Sequence, residues 1–253
     1  MREQYPFDEN STVVMDFACG VGVYNPPYFL VYSTHTSILG LISRELAPYT
    51  KSIVGVDITQ ALVDSYNQRV ANQGITPDEM RAVCTELKGK EGELNGLKFD
   101  VIVVSLLINR DYGRFHVDCV FAQCSASYHH FESIEDMTKI LVFFLKPGAA
   151  LLVVDIQDPS EAHPHGFATQ SNTSNVHVIP QKFHHITPHT HGFKSDRIRK
   201  VFEDAGLTSF SFNKAMSATK KERTFSFDET ESRSDSQEIT FFIAKGEKKL
   251  SDL

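Results

Sequence analysis

Short apolar runs alternate along this chain with segments in which apolar residues recur every three or four positions. The short runs are typical of buried strands and occupy residues 12–17, 52–57, 80–85, 99–104, 149–156, 208–212 and 238–244. The periodic segments between them predict helices. This order predicts an α/β fold: a mostly parallel sheet of seven strands, with helices on both faces and an antiparallel last strand.

The ends of several helices are marked by residues that favour helix boundaries. Serine and threonine side chains can accept hydrogen bonds from free backbone amides at a helix start, and glycine tolerates the left-handed conformation that follows a helix end. A further helix begins near Leu41. The predicted caps are Thr59, Ser133 and Ser195, and the predicted helix ends are Gly74, Pro147-Gly148 and Gly206.

The composition is that of one globular domain. A chain of 253 residues with 41% hydrophobic content can bury a full core, so residues 1–245 are predicted as a single domain and residues 246–253 as a polar tail. A net charge of −7 argues against nucleic acid as a partner. No apolar run is long enough to cross a bilayer, and the first residues lack a signal peptide's apolar core. We therefore expect a cytoplasmic protein.

The four cysteines, Cys19, Cys84, Cys119 and Cys124, show no CxxC spacing. In a cytoplasmic chain, reduced and buried thiols are the expectation.

A short glycine turn follows the first strand, where the sequence DFACGVG occupies residues 16–22. Small residues there let backbone amides approach a ligand, and open parallel sheets bind ligands beyond the carboxyl ends of their strands. Asp57 ends the second strand, where a carboxylate can accept hydrogen bonds from both ribose hydroxyls of an adenosyl cofactor. The glycine turn alone is weak evidence, but the pair is moderately specific.

These motifs and three others resemble the class I S-adenosylmethionine-dependent methyltransferases, which have a Rossmann-like fold. The resemblance is greatest to the small-molecule branch that includes the ubiquinone-biosynthesis C-methyltransferases. It covers most of residues 12–156, with the motifs in family order. They are DFACGVG at residues 16–22, GVDI at 55–58, FDVIV at 99–103, YHHF at 128–131 and LKPG at 145–148.

The resemblance implies S-adenosylmethionine as the cofactor and a small molecule as the methyl acceptor. It implies that Gly20 and Gly22 pass under the methionine part and that Asp57 holds the ribose. Glu86 is the nearest carboxylate for the adenine amine. Ala18 stands where the family usually has glycine, a change that is tolerated if its φ angle stays negative. The predicted cofactor-binding residues are Asp16, Ala18, Gly20, Gly22, Asp57, Ile58 and Glu86.

Methyl transfer needs few catalytic groups, because the sulfonium already makes the methyl electrophilic and the protein mainly aligns the nucleophile. A base is needed only if the nucleophile arrives protonated. Histidines follow the fourth strand at residues 129–130 and precede the last helix at residues 189–191. Among them, His129 and His191 are predicted to face the substrate. A packed or solvent-exposed histidine is the alternative for each.

Seven histidines lie between residues 163 and 191. Their spacings match no standard zinc pattern and no cysteine lies among them, so a polar loop over the site is predicted and no metal site. They are His163, His165, His177, His184, His185, His189 and His191.

Two segments, residues 23–39 and 104–123, interrupt the motifs. Removing both would give continuous family-like motifs. One hypothesis is that they are short introns read through in frame, since Val104-Ser105 can be encoded by GTGAGT and Gln123 by CAG. The alternative is a pair of genuine loops, although long loops without structure of their own are uncommon in compact domains.

Two other functions remain open at this stage. A nicotinamide-dependent oxidoreductase shares the glycine turn and the acid, but the chain lacks GxGxxG after the first strand. A non-catalytic methyltransferase-like protein, with a cofactor site broken by the first insert, is the third possibility.

Overall fold

The fold is built on one sheet of seven strands, in a computed structural model that describes residues 1–19, 41–105, 128–162, 178–179, 181–221 and 236–250. The strand order is β3-β2-β1-β4-β5-β7-β6. The strands are β1 (Val13–Phe17), β2 (Ser52–Asp57), β3 (Met80–Cys84), β4 (Phe99–Ser105), β5 (Leu145–Ile156), β6 (Leu207–Lys221) and β7 (Ser236–Lys248).

The pairing of these strands confirms the predicted sheet. Strands β1 to β5 pair in parallel, and β7 is antiparallel to both of its neighbours, β5 and β6. Strand β7 extends to Lys248, into the segment predicted as a polar tail. Because β1 to β5 are parallel, their carboxyl ends lie at one edge of the sheet, which is where the start of the glycine turn and Asp57 fall.

Helices cover both faces of the sheet. They are α1 (Leu41–Leu46), α2 (Gln60–Asn72), α3 (Ile134–Phe144), α4 (Pro159–Ala162) and α5 (Ser195–Asp204). The buried residues of α1 and α2 pack into one hydrophobic cluster, whereas those of α3 and α5 pack into another. Successive residues of β1, Val14 and Met15, belong to different clusters, as the alternation of side chains along a strand requires.

The predicted caps have different outcomes. Ser133 is confirmed, because its Oγ accepts a hydrogen bond from the amide of Asp136 at 3.0 Å. Thr59 precedes α2 but makes no side-chain cap. The prediction for Ser195 is wrong, because this residue is the first of α5 and its amide donates to Glu161 Oε2 at 2.8 Å. A carboxylate from α4 therefore accepts a hydrogen bond at the start of α5, where the serine side chain was predicted to do so.

The predicted end of α3 at Pro147-Gly148 is also wrong. The helix ends at Phe144, and β5 begins at Leu145, so both residues lie in the strand. The register of β4 and β5 shifts between Phe99 and Val101, and Gly148 has a φ of 77°. Pro147 and Gly148 therefore lie at an irregularity near the start of β5, and they do not end the helix.

The structure describes the borders of the two inserts but not their interiors. Residues 20–40, which include Gly20, Gly22 and the first insert, lie outside the described residues. So does the second insert from residue 106 onward, whereas Val104 and Ser105 belong to β4 and pair with β5. Helix α1 nevertheless lies directly behind β1, since Ser43 Oγ donates to Asp16 Oδ2 at 2.5 Å.

Two further expectations concern the whole chain. In the described part, none of the helices combines the length and apolarity needed to cross a membrane. Cys19 and Cys84 are free thiols, the first buried and the second partly buried. Cys119 and Cys124 lie outside the described residues.

Candidate functional site

The turn after β1 is tied to the end of β2 by backbone hydrogen bonds. The amides of Ala18 and Cys19 both donate to the carbonyl oxygen of Val56, at 2.6 Å and 3.2 Å. Cys19 immediately precedes Gly20, and Val56 immediately precedes Asp57. The start of the glycine turn and the predicted ribose acid are therefore brought together at the carboxyl edge of the sheet.

The backbone at Ala18 is left-handed. Its φ is 62°, so the condition of a negative φ, under which alanine would be tolerated here, is not met. A residue with a Cβ is strained in this region, where glycine is not. The turn therefore needs the conformation that the family's usual glycine adopts freely.

Little space separates this turn from β2. A Cβ placed on Gly55 would lie 2.6 Å from Sγ of Cys19, closer than real contacts allow. Burial raises the pKa of the Cys19 thiol, as do the charges of Asp16 and Asp57, so the thiol is neutral. Glycine at position 55 thus allows the turn to pack directly on the neighbouring strand.

Asp57 is the buried acid at the end of β2, with 7% of its surface exposed. Its Oδ1 accepts a hydrogen bond from the amide of Thr59 at 2.9 Å. Its backbone carbonyl accepts another from Thr85, just beyond β3. These contacts hold the carboxyl group at the junction of β2 and α2.

Asp16 is a second buried acid, located on β1. Burial raises its pKa to about 6, against the lowering effect of hydrogen bonds with Ser43, and the charge of Asp57 adds to the rise. Its side chain is turned toward α1 through the bond to Ser43. Its position therefore couples the first helix to the strand that carries the glycine turn.

Ile58 and Glu86 are the exposed members of the predicted set. Ile58 leaves 75% of its surface exposed, although it is a large apolar residue next to a buried acid. Glu86 follows β3, has a 75% exposed side chain and lies 3.4 Å from Lys88. Both side chains lie beyond the carboxyl ends of β2 and β3.

His129 is deeply buried and paired with a carboxylate. Its Nδ1 lies 2.7 Å from Oδ1 of Asp155, and its backbone amide donates to Oδ2 of the same residue at 3.0 Å. The side chains are 1% and 0% exposed. The pair joins the turn after β4 to the end of β5, so Asp155 sets the position of His129.

Two further histidines of this region, His189 and His191, differ in exposure. His189 is partly buried and its amide donates to the carbonyl oxygen of His129 at 3.4 Å. His191, predicted to face the substrate, is exposed. The role of His129 and His191 in catalysis stays a prediction.

Two residues of this region, Asp155 and Ser43, were not predicted. The signal for Asp155 is a single carboxylate inside the otherwise apolar run at residues 149–156. Such a charge is rarely buried without a partner. Ser43 carries no comparable signal, because an isolated serine in a short helix is ordinary.

The histidine-rich segment is described only in its second half. His163, His165 and His177 lie outside the described residues. Across the described ranges, no group of three or more His, Cys, Asp or Glu side chains is placed to hold a metal ion.

Comparison with known proteins gives the fold. No family model matches this chain. It is 27% identical over 199 residues to an uncharacterized methyltransferase of Schizosaccharomyces pombe, a match that covers 78% of this chain and 53% of the yeast protein. The chain thus spans about half the length of the curated relative that it matches.

Solved structures agree on the architecture. A candidate methyltransferase from Bacillus halodurans superposes with a TM-score of 0.56 at 14% identity, covering 96% of this chain and 94% of that one. A phosphoethanolamine N-methyltransferase from Haemonchus contortus in complex with S-adenosylmethionine gives 0.53 at 11% identity, covering 98% and 51%. The chain therefore has the class I S-adenosylmethionine-dependent methyltransferase fold, as the sequence motifs predicted.

Proposed function

We propose that this chain is an S-adenosylmethionine-dependent methyltransferase that acts on a small-molecule acceptor. The observation that carries the proposal is the convergence of the β1 turn with Asp57 through the bonds from Ala18 and Cys19 to Val56. The fold and the description of the yeast relative as a methyltransferase support the same activity. A fold alone hosts several functions, so the site must carry the argument.

The residues at this edge fit an adenosyl cofactor chemically. Asp57 offers a buried carboxylate as the acceptor for two ribose hydroxyls. Ile58 offers an exposed apolar surface beside it, suited to the face of an adenine ring. Glu86 lies beyond the neighbouring strand and is proposed to reach the adenine amine.

The methionine part of the cofactor is proposed to lie over the turn after β1. Ala18 begins this turn, and Gly20 and Gly22, which follow it in the sequence, lie outside the described residues. Asp16 lies on β1, two residues before Ala18, and its bond with Ser43 connects this strand to α1. The small side chains of the turn allow a ligand to approach the backbone closely.

When bound, S-adenosylmethionine supplies a methyl group activated by its sulfonium sulfur. The chain's own task is then to hold the acceptor in line and to exclude water. His129 and His191 are proposed to serve the acceptor side. His129 would do so by shaping the wall of the site, since its ring is bound to Asp155, and His191 through its exposed ring.

The acceptor and the location are proposals as well. The net charge of −7 argues against nucleic acid, so a small molecule is the proposed acceptor. A cytoplasmic location is proposed for the protein.

Isothermal titration calorimetry of the full chain tests the proposal. S-adenosylmethionine and, separately, NAD are titrated into the same sample. Binding of S-adenosylmethionine without binding of NAD is the expected result. Binding of NAD alone would favour the oxidoreductase alternative, and binding of neither would leave the cofactor assignment without support.

A further inference from the structure

A partly buried histidine, His189, lies at the carboxyl edge of the sheet with one ring nitrogen unused by the described chain. Its ring forms a hydrogen bond with the backbone carbonyl of Phe131. Its Nε2 is buried and has no hydrogen-bond partner among the described residues. A buried polar nitrogen without a partner is costly, so this atom calls for an explanation.

The hydrogen bond to Phe131 determines what Nε2 can do. A carbonyl oxygen only accepts, so the ring nitrogen that faces it, Nδ1, must carry the proton. In a neutral imidazole the other nitrogen is then a lone-pair acceptor. Nε2 is therefore suited to receive a hydrogen bond from an O–H or N–H group.

The charges around His189 favour this neutral form. Burial lowers the pKa of His189 below its ordinary value of 6.5, and the positive charge of Arg197 lowers it further. The Phe131 bond and the carboxylates of Asp155 and Glu135 oppose this effect but do not outweigh it. The ring is thus neutral at pH 7.

A chain of contacts links the ring of His189 to the turn after β1. The ring centroids of Phe17, which precedes Ala18, and Phe131 are 5.9 Å apart. The ring of His189 in turn lies 5.2 Å from that of Phe193. The backbone amide of His189 bonds to His129, which Asp155 holds in place. His189 is therefore held in place by Phe193 and His129, and it is linked through Phe131 and Phe17 to the turn where the methyl group is expected.

We propose that Nε2 of His189 accepts a hydrogen bond from an O–H or N–H group of the methyl acceptor. The acceptor would thus belong to the class of small molecules that carry such a donor near the reacting atom. The inference rests on the proposed function only in naming the ligand as a methyl acceptor. It adds His189 to the residues that are proposed to contact this ligand.

Nuclear magnetic resonance on the histidine-labelled full chain tests the proposal without an activity assay. The His189→Asn variant assigns the signal, and its amide nitrogen can keep the bond to Phe131. The His185→Asn variant is the control, because His185 is exposed. The probes are phenol, which has an O–H donor, and anisole, its methyl ether, which has none.

The expected result is a neutral ring with the proton on Nδ1, whose Nε2 signal moves with phenol and not with anisole. His189→Asn should weaken phenol binding by about fivefold or more, as for one lost hydrogen bond, and His185→Asn should not. A proton on Nε2, or equal or absent responses to the two probes, would overturn the proposal. The ring can be measured with or without S-adenosylhomocysteine, so failure of cofactor binding is a separate outcome.

Discussion

Replacing Asp57 by alanine and, in parallel, by asparagine separates the proposed cofactor contact from the stability of the fold. The carboxylate is proposed to accept hydrogen bonds from both ribose hydroxyls, and it already accepts one from the amide of Thr59 at the start of α2. Asp57→Ala removes both functions. Asp57→Asn keeps an oxygen that can accept from Thr59 but loses the charge and one acceptor.

The two losses have different sizes and different readouts. Sugar hydroxyls left without a buried acceptor cost about 1–3 kcal/mol, which weakens S-adenosylmethionine binding by about 5- to 150-fold. The lost bond at the helix start lowers the free energy of unfolding by about 0.5–2 kcal/mol. The asparagine variant should have nearly the stability of the parent and an intermediate affinity.

Calorimetric titration with S-adenosylmethionine and denaturant unfolding are the two assays, applied to parent, Asp57→Ala and Asp57→Asn. Asp64→Ala is the matched control, because Asp64 is an exposed carboxylate on α2 that bonds to Gln60. Equal affinity of parent and Asp57→Ala would refute the ribose assignment. So would a loss of affinity in Asp57→Ala that Asp64→Ala reproduces.

Four further results are expected. Because burial raises the pKa of Asp16 to about 6, the free energy of unfolding should fall by about 3 kcal/mol as pH rises from about 3 to about 7, and denaturant titrations of Asp16→Asn should lack this fall. Asp155→Ala should cost about 3 kcal/mol of stability by leaving buried His129 unpaired, and the double alanine variant should lose less than the two single losses combined, as a double-mutant cycle would reveal. Ala18→Gly should raise stability by roughly 1 kcal/mol through relief of the left-handed backbone, and an unchanged thermal midpoint would argue against strain there. A chain lacking both inserts should have a higher thermal midpoint and bind S-adenosylmethionine more tightly; a lower midpoint would mean that the inserts are genuine structure.

The strands were predictable because each is a short apolar run, and such a run can be recognised without knowing which strands lie beside it. Strand β2 was predicted at its observed bounds, and the antiparallel β7 followed from the order of elements. Helix ends were less predictable, since they depend on contacts from outside the helix. The amide of Ser195 takes Glu161 as its partner, and Pro147 lies in an irregular strand start.

The site was predictable where motif and strand end coincide, as at Asp57. Asp155 was not predicted because its role depends on His129, which lies 26 positions away in the sequence. The φ of Ala18 could not be predicted, because the sequence carries no information on whether the family's glycine is needed for its backbone or for its size. The sequence also suggested several histidines without ranking them, and only their hydrogen bonds distinguish them.

The most direct test of the central claim is transfer of a labelled methyl group. The full chain is incubated with S-adenosylmethionine labelled in its methyl group and with a small-molecule extract, and the label is followed by mass spectrometry. We expect label in a small molecule with the parent chain, and at least about fivefold less with Asp57→Ala at a cofactor concentration below saturation. A parent chain that binds S-adenosylmethionine yet transfers no label would contradict the account and identify the protein as a non-catalytic member of this fold.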